Sequence, residues 1–437
     1  MTECRQQILD FPSFDGRRIE ANFGGGDVSS DGGVMLLRQA DRRLGLCRAL
    51  DRAIADPRDP AMITHRQVDL LRQRIYGIAL GYEDLNDHDS LRGDPLWQSA
   101  VERGEELASG PTLCRLEGRA DRDTAWAMSR VLVEGFIDSF PLAPSELVLD
   151  FDATDDRVHG CQEGRFFHGY YGDWCFLPLY VFCGDRLLVS YLRPSNIDAA
   201  RHAWAILKLL VVRLRQAWPG VRITFRGDSG FCRWKMLRWC ERHGVGYVVG
   251  IAKNPRLLAL ASGLMGEAER AHREGGAKAR LFGWLEYAAE SWDRPRRVIA
   301  KAEHGELGAN PRFVVTNLPG DAGEIYGAIY CARGEMENRI KEQQLGLFAD
   351  RTSCHAWWSN QFRLLLSSAA YVLLEAIRRL GLRGTELARA QVGTIRLKLL
   401  KLGTVILRNT RRIRLLFSSA YPSRELFGLV ARRLETG

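Results

Sequence analysis

The spacing of hydrophobic and polar positions changes along this chain of 437 residues. From residue 1 to about 125, apolar residues recur every three or four positions, as in GGVMLLRQADRRLGLCRAL and THRQVDLLRQRIYGIALGYEDL. This period predicts a helical N-terminal region, and the intervening DPRDP predicts a loop. Arginines on the polar faces of these helices can bind DNA or can lie in solvent, and both interpretations stay open.

The middle of the chain has a different pattern. Three β-branched and aromatic runs, ELVLDFDATDD, WCFLPLYVFC and DRLLVSYLRP, predict an antiparallel meander. A helix at residues 197–217, a strand at VRITFRGD, a helix at FCRWKMLRWCERHG and a strand at VGYVVGIAKN follow. The order β-β-β-α-β-α-β predicts an α/β fold with a mixed sheet that contains parallel pairs.

The remaining segments complete the predicted organisation. After residue 254 one helix precedes short β-like runs, which predicts a mainly-β insertion, and helices resume at residues 332–346 and before Gly381. The tail TIRLKLLKLGTVILRNTRRIRLLF predicts short strands with basic side chains. The predicted segments are a helical region (1–125), a first core part (140–253), the insertion (254–329), a second core part (330–380) and a C-terminal segment (381–437).

Composition narrows the class of protein. Hydrophobic residues make up 46% and charged residues 26%, which excludes a wholly disordered or collagen-like chain. No apolar run is long enough to span a membrane, and the N-terminus lacks the pattern of an export signal. The ten cysteines are scattered without a CxxC pair or zinc-ligand spacing, which predicts reduced thiols in a cytoplasmic protein.

The net charge of +9 is concentrated in one segment. Residues 381–437 hold twelve Lys or Arg and three Asp or Glu, so this segment alone has a charge of 12 − 3 = +9. A local basic segment predicts contact with a polyanion such as DNA, and the alternative is that its arginines only solvate packed strands. The candidate DNA-binding residues here are Arg408, Arg411, Arg412 and Arg414.

Acidic residues near strand ends are the candidates for chemistry. Asp150 and Asp152 lie two apart on the first predicted strand and therefore face the same side of the sheet. Two carboxylates on a core strand require a cation, a salt bridge or an exposed strand end. Asp228 follows the fourth strand, where ligand sites of such sheets occur, although it can equally cap the next helix.

A helix after the fifth strand has a third candidate group. In YCARGEMENRIKEQQ, offsets of three and four place Tyr330, Arg333 and Glu337 on one helical face, which Lys341 and Gln344 continue. Arg333 and Glu337 can also form an ordinary helical ion pair. Asp152, Asp228 and Glu337 together have the order of the metal-binding carboxylates of ribonuclease H, and oxygen ligands of this kind suit two Mg²⁺ or Mn²⁺ ions ~4 Å apart.

The chain resembles the group 1 DDE transposases of bacterial insertion sequences, specifically the insertion-sequence thirteen-eighty family. The resemblance covers nearly the whole chain and depends on RIYGIALGYEDLNDHDSLRGDP, LDFDATDDRVHGCQEGRFFHGYYGDWCFLPLYVF, RGDSGFCRWKMLRWCERHGVGYVVGIAKN and GEMENRIKE. It implies a ribonuclease H-like core with an inserted β domain and an acidic triad of Asp152, Asp228 and Glu337. Asp150 is the rival for the first carboxylate.

Related transposases that form DNA hairpins have a Tyr, Arg, Glu, Lys signature. Tyr330, Arg333 and Glu337 match its first three positions, but Gln344 stands where the pattern has Lys, and Lys341 is a possible substitute one turn earlier. The segment HGCQEGRFFHGYYGD is interpreted mainly as a turn-rich connection. Within it, His159 follows the acids closely and is a candidate for orienting water or phosphate.

The resemblance implies a metal-dependent transposase. Its expected partners are double-stranded DNA with terminal inverted repeats and a target DNA, bound by a homodimer in the bacterial cytoplasm and nucleoid, without a membrane or a nucleotide cofactor. Two alternatives stay open, namely a catalytically inactive DNA-binding derivative of such an element and a ribonuclease H-like nuclease without strand transfer.

Overall fold

The computed structural model describes residues 8–435, so Cys4 of the ten cysteines lies outside the described residues. The chain divides into two compact units. Unit 1 consists of Met1–Glu117 with Leu373–Gly437, and unit 2 consists of Gly118–Val372. In the described range, no helix has both the length and the apolar character needed to cross a membrane. The nine cysteines of residues 8–435 are all free thiols.

The N-terminal part of unit 1 begins with strands and continues with helices. Its elements are β1 (Leu9–Phe14), β2 (Arg17–Ala21), β3 (Val28–Ser29), α1 (Val34–Leu44), α2 (Leu46–Ala53), α3 (Gln67–Leu80), α4 (Asp87–Leu91), α5 (Pro95–Val101) and α6 (Gly110–Gly118). The predicted helices are confirmed, and the region also contains three short strands, β1, β2 and β3, that the helical period did not predict. Asp15 and Gly16 both have positive φ (49° and 71°) and form the two-residue turn of an antiparallel hairpin.

Unit 2 alternates strands and helices. Its elements are α7 (Arg122–Asp138), β4 (Glu146–Ala153), β5 (Asp156–Arg157), β6 (Phe166–His168), β7 (Asp173–Phe176), β8 (Leu179–Cys183), β9 (Arg186–Tyr191), α8 (Ala203–Ala217), β10 (Arg222–Gly227), α9 (Trp234–Arg242), β11 (Gly246–Ile251), α10 (Pro255–Leu260), α11 (Ser262–Gly275), β12 (Ala279–Tyr287), β13 (Arg296–Gly305), β14 (Gly308–Ala309), β15 (Arg312–Thr316), α12 (Ala322–Glu324), α13 (Gly334–Leu347) and α14 (Trp357–Ala376). Within α14 the chain returns to unit 1.

A mixed sheet forms the centre of unit 2. Its strand order, within the described residues, is β12-β13-β15-β11-β10-β4-β8-β9, and β14 pairs with β13. Strands β4, β10 and β11 are parallel to one another, whereas β4, β8 and β9 are antiparallel. The predicted order β-β-β-α-β-α-β and the parallel pairs are therefore confirmed, and the fold class is α/β.

The second predicted strand is in fact two strands. WCFLPLYVFC divides into β7 and β8 around Pro178, whose ring cannot supply a ladder N–H. β8 joins the central sheet, whereas β7 pairs with β5 and β6 in a separate small sheet. The segment interpreted as a turn-rich connection thus contains short strands of its own.

The apolar side of β4 explains why its acids face the other way. Leu147, Leu149 and Phe151 are buried in one hydrophobic cluster with Phe225 of β10 and Leu207 of α8. Side chains alternate along a strand, so Asp150 and Asp152 lie on the opposite side of the sheet. The core packing of β4 therefore sets the direction of both carboxylates.

The segment 254–329 extends the central sheet. β15 pairs antiparallel with β11 and with β13, and β13 pairs with β12. The chain of this segment also contains α10 and α11, and Leu264 of α11 packs against Gly283 of β12. Contacts group the whole segment with the rest of unit 2. The assignment of a separate insertion domain stays a prediction.

The C-terminal part of unit 1 mixes helix and strand. It contains α15 (Val392–Ile395), a π-helical turn at Arg396–Leu400, β16 (Thr404–Arg408), β17 (Ile413–Phe417) and α16 (Arg424–Glu435). The prediction of strands was correct for β16 and β17 but wrong for TIRLKLL. Ile395 and Leu399 are buried four residues apart while Leu397 is 73% exposed, which is a helical and not a strand period.

Candidate active site

The parallel pairing of β4 with β10 brings two carboxylates to adjacent strand ends. Asp150 lies opposite Arg226 and Phe151 lies opposite Gly227 in the register of this pair. Asp152 and Asp228 each come one residue further along, at the carboxyl ends of their strands. Asp228 contributes to the electrostatic environment of Asp152, so the predicted first and second carboxylates lie near each other.

Asp228 also has the capping role that the sequence left open. One of its carboxylate oxygens accepts a hydrogen bond of 2.9 Å from the backbone N–H of Gly230, at the start of a short 3₁₀ helix, Ser229–Phe231. The cap therefore belongs to this turn and not to α9, which begins at Trp234. The cap uses Oδ1 of Asp228.

Three kinds of helix follow one another in the segment that contains Glu337. A π-helix (Ile325–Tyr330) and a 3₁₀ turn (Cys331–Arg333) precede α13, so the predicted helix at 332–346 is confirmed within two residues. π-helical turns are rare and are frequent at functional sites. This one ends at Tyr330, which is the first residue of the predicted signature.

A glycine lets Tyr330 reach the loop of Asp228. A Cβ atom built on Gly250 of β11 would lie 2.7 Å from the Tyr330 hydroxyl oxygen and 3.0 Å from the backbone nitrogen of Ser229. Burial raises the pKa of Tyr330, and the charge of Asp228 adds to this effect while Arg333 opposes it. Tyr330 therefore lies among the charged residues of the site.

Arg333 connects two of the three predicted acids. Its Nη2 atom lies 2.6 Å from Oε1 of Glu337, and its Nη1 atom lies 3.5 Å from Oδ1 of Asp152. Only 18% of the Arg333 side chain and 15% of the Asp152 side chain are exposed, compared with 44% for Glu337. The ordinary helical ion pair between Arg333 and Glu337 exists, but Arg333 also reaches the first strand.

The surroundings of Asp152 change its pKa strongly. Burial raises the pKa of Asp152 to about 7, and the nearby carboxylates of Asp228 and Glu337 add to the rise. The guanidinium of Arg333 opposes it. Burial lowers the pKa of Arg333, but the charges of these three carboxylates outweigh it and leave the pKa raised. Asp152, Asp228, Glu337 and Arg333 therefore form one electrostatically coupled group.

Asp150 has a different environment from Asp152. Its two carboxylate oxygens accept hydrogen bonds from Nε and Nη2 of Arg226, and both side chains are buried. The Nη1 atom of Arg226 donates to the backbone carbonyl of Ile329, in the helical segment that precedes Tyr330. Both oxygens of Asp150 are thus occupied by a salt bridge, one of the three explanations that the sequence allowed for buried acids.

The other candidate residues differ in what they contact. Gln344 donates a hydrogen bond of 3.0 Å to the backbone carbonyl of Asp155, so it fixes the loop that follows β4. Lys341 lies on the exposed side of α13, and His159 is exposed in the loop after β5.

Tyr171 was not among the residues predicted from the sequence, although the charges of Asp155 and Asp152 both act on it. The sequence feature that could have pointed to Tyr171 is the pair of adjacent tyrosines in HGYYGD.

The residues of this group fit a divalent cation by charge and by ligand type. Three carboxylates and one guanidinium give a net charge of −2 when all are ionised, and carboxylate oxygens are the preferred ligands of Mg²⁺ and Mn²⁺. Within residues 8–435, however, no three Asp, Glu, His or Cys side chains are positioned to hold one ion together. Arg333 lies between Asp152 and Glu337, so these two acids need Arg333 to move before they can share an ion.

The basic candidates lie in unit 1, on and between β16 and β17. Arg408, Arg411, Arg412 and Arg414 are all exposed. Arg408 donates a hydrogen bond of 3.0 Å to the Gln98 side chain. Asn409 accepts hydrogen bonds from the backbone N–H groups of Arg411 and Arg412 and so fixes the turn of this hairpin. The turn therefore presents several arginine side chains to solvent.

Comparison with known proteins gives one family. The model of the family described as transposase DDE domain group 1 matches residues 11–436 of this chain. No curated protein matches. Among solved structures, a cryo-EM structure of piggyBac transposase synaptic complex with hairpin DNA is similar, with a TM-score of 0.45 and 9% sequence identity. That similarity covers 85% of this chain and 79% of the other chain.

Proposed function

The chain belongs to the group 1 family of DDE transposases, and on this premise we propose that it cuts and rejoins DNA with Asp152, Asp228 and Glu337 as its metal-binding acids. The observation that carries the proposal is the position of Arg333, 3.5 Å from Asp152 and 2.6 Å from Glu337. Asp228 is close enough for its charge to raise the pKa of Asp152. The three acids come from a strand, the end of the adjacent parallel strand and a helix almost 110 residues later in the chain. Carboxylates in such proximity repel one another when ionised, and a bound divalent cation relieves this repulsion.

The strand order supports a ribonuclease H-like core for this activity. The core strands β4, β8, β9, β10 and β11 are its first to fifth strands in chain order. Across the sheet they lie in the order third, second, first, fourth and fifth, that is, β9-β8-β4-β10-β11. The first acid lies on the first strand and the second acid lies beyond the fourth, as the resemblance implies. Asp152 rather than Asp150 is the first carboxylate in this proposal, because Arg226 already occupies both oxygens of Asp150.

Each group has a separate role in the proposed reaction. Two Mg²⁺ or Mn²⁺ ions, when bound, activate a water molecule or a 3′-hydroxyl and stabilise the departing oxygen of the phosphodiester. Asp152, Asp228 and Glu337 hold the ions, with Asp228 oriented by its hydrogen bond to Gly230. Arg333 and Tyr330 bind the phosphate beside the bond that is cut, which requires Arg333 to leave its ion pairs with Asp152 and Glu337.

The substrate of this proposal is the double-stranded DNA end of a bacterial insertion sequence of the thirteen-eighty family. A homodimer binds the terminal inverted repeats, nicks one strand and uses the resulting 3′-hydroxyl in a second transesterification, into a target DNA or through a hairpin. The helices of unit 1 supply contacts with the repeats, and its basic hairpin supplies contacts with phosphates. Cytoplasmic location on the nucleoid belongs to the same proposal.

A nicking and joining assay tests this function. Duplex oligonucleotides with the inverted repeats that flank the gene are incubated with the protein and Mg²⁺, and the cut and joined strands are separated on a denaturing gel. Cutting at the repeat end together with joined product supports transposition. Cutting without joining indicates a nuclease, and binding without cutting indicates an inactive DNA-binding derivative.

A further inference from the structure

A second set of oxygen atoms lies apart from the catalytic acids, in the loop that follows β4. Asp156 of β5 is only 1% exposed, and its backbone pairs with Phe176. Within the described residues, neither carboxylate oxygen of Asp156 has a hydrogen-bond partner. A buried carboxylate without a partner is unfavourable in the charged form, so this acid requires either a proton or a cation.

Three further oxygen-bearing side chains accompany Asp156. Tyr180 of β8 is fully buried and Thr352 is 4% exposed, and neither hydroxyl has a hydrogen-bond partner among the described residues. The charges of Asp156 and Asp350 both act on Tyr180, and the charge of Asp350 also acts on Asp156. The Thr352 hydroxyl is close enough to lower the pKa of Asp156, although the two side chains do not form a hydrogen bond.

Hydrogen bonds from two glutamine side chains to backbone carbonyls connect the segment around Asp156 with the segment around Asp350. The Gln344 side chain donates 3.0 Å to the backbone carbonyl of Asp155, and the Gln162 side chain donates 3.2 Å to the backbone carbonyl of Thr352. These bonds flank Asp156 on one loop and Asp350 on the other. These two hydrogen bonds therefore tie the segment of Asp156 to the segment of Asp350 and Thr352.

We propose that Asp156, Asp350, Thr352 and Tyr180 form a binding site for a structural divalent cation such as Ca²⁺. Two carboxylates supply a charge of −2 that matches a divalent ion, and the two hydroxyls supply neutral oxygens of the kind that hard cations accept. One ion gives a partner to the oxygens of Asp156, Tyr180 and Thr352, which have no hydrogen-bond partner within residues 8–435.

The position of this site gives the ion a defined task. Asp156 follows the strand that carries Asp152, and Asp350 follows the helix that carries Glu337. An ion shared by Asp156 and Asp350 links these two segments, which are 194 positions apart in the sequence. It is a structural link between parts of unit 2, and it forms whether or not the proposed catalytic roles are correct.

Ca²⁺ binding in a variant without the catalytic acids tests the proposal. The background variant is full-length protein with Asp152→Asn, Asp228→Asn and Glu337→Gln, which removes the other candidate cation ligands. Calorimetric titration with CaCl₂ is expected to show one ion per chain. Thermal unfolding should show Tm rising by roughly 3 to 6 °C for each tenfold increase of Ca²⁺ above the dissociation constant.

Single substitutions in that background locate the ion. Asp156→Asn and Asp350→Asn should each abolish Ca²⁺ binding and the Ca²⁺-dependent rise in Tm, and Thr352→Val should weaken binding. Glu269→Gln, which removes an exposed carboxylate of unit 2, is the matched control and should change neither. If Asp156→Asn does not fold, Asp350→Asn and Thr352→Val give the same test.

Two results would overturn the proposal. Absence of Ca²⁺ binding in the background variant, whatever the Tm of Asp156→Asn, would mean that Asp156 is held as a neutral protonated acid. Full Ca²⁺ binding that persists in both Asp156→Asn and Asp350→Asn would place the ion elsewhere.

Discussion

Arg226 of β10 forms a two-pronged salt bridge with Asp150 of β4, and the strand register places the two residues directly opposite each other. Asp152, two positions along the same strand, lies on the same side of the sheet but contacts Arg333 of the helical segment instead. The two acids that the sequence could not separate therefore differ in partner. One completes a buried ion pair within the sheet, and the other faces the remaining acids.

The first prediction concerns stability and follows from the Asp150–Arg226 pair. Asp150→Ala leaves Arg226 buried without its counter-ion, and breaking a buried pair in this way costs about 3–5 kcal/mol. We expect a clear fall in the free energy of unfolding, measured by urea denaturation. Asp152→Asn is the control, and no comparable loss is expected because it removes a buried charge close to two other carboxylates. Equal stability of Asp150→Ala and the unmodified protein would contradict the structural role of Asp150.

The second prediction concerns the proposed triad. Asp152→Ala, Asp228→Ala and Glu337→Ala should each abolish strand cleavage, because each removes a ligand of the metal ions. Binding to DNA ends should persist, since phosphate contacts elsewhere carry it. Cleavage is measured on gels and binding by mobility shift. Full activity of Asp152→Ala would remove this residue from the triad and return Asp150 as the candidate.

The third prediction concerns the catalytic metal. Mg²⁺ or Mn²⁺ should support cleavage, whereas Ca²⁺ should permit DNA binding with little or no cleavage, because its looser coordination does not align the attacking and leaving oxygens. Zinc should not be required. Removal of divalent ions by a strong chelator should stop cleavage, and re-addition of Mg²⁺ should restore it. Sustained cleavage in the chelator would contradict the two-metal mechanism.

The fourth prediction concerns Arg333. If this residue binds the phosphate beside the cut, Arg333→Ala should reduce strand transfer or hairpin formation more than first-strand nicking. Arg339→Ala is the matched control on the same helix, because Arg339 forms an ion pair of 2.8 Å with Glu342 that belongs to the packing of α13. Nicking rates, joining rates and Tm are measured for both variants. Equal loss of both reactions together with a lowered Tm would show that Arg333 acts only through its ion pair with Glu337.

Much of the sheet could be predicted from the sequence, because its strands are short apolar runs with clear breaks. Parallel neighbours end at the same edge, so the closeness of Asp152 and Asp228 follows once β4 and β10 are recognised. The hairpin at Asp15 and Gly16 was also predictable in principle, since Asp-Gly between two short β-like runs is a strong hairpin signal.

The partners of individual side chains could not be predicted. Arg226 is recognisable as a charged residue on a core strand, but its contact with Asp150 depends on the register of two strands far apart in sequence. The contact of Gln344 with the carbonyl of Asp155 depends on a loop conformation that no period encodes. Asp156 looks like a solvated acid in TDD, and only its burial distinguishes it from Asp155.

The last prediction concerns the salt dependence of DNA binding. Residues 381–437 hold the whole formal excess of +9. Arg411 and Arg412 in the turn between β16 and β17 are exposed to solvent, and so is Arg414 on β17. Each phosphate that is neutralised contributes roughly −0.9 to the slope of log affinity against log salt. Replacing these three arginines and Arg408 by Gln should therefore weaken binding to cognate and unrelated duplexes alike and flatten the slope by ~2 to 4 units.

Sequence preference should survive this change, because phosphate contacts position a protein on DNA without reading its bases. Arg408→Gln alone is an informative control, since Arg408 already donates a hydrogen bond to Gln98 and is expected to contribute less than the three residues of the turn and β17. Affinities are measured by fluorescence anisotropy over a series of salt concentrations, with Tm as the check on folding. An unchanged slope in a folded variant would mean that these arginines only solvate the hairpin, and the basic segment would then lose its proposed role in binding DNA.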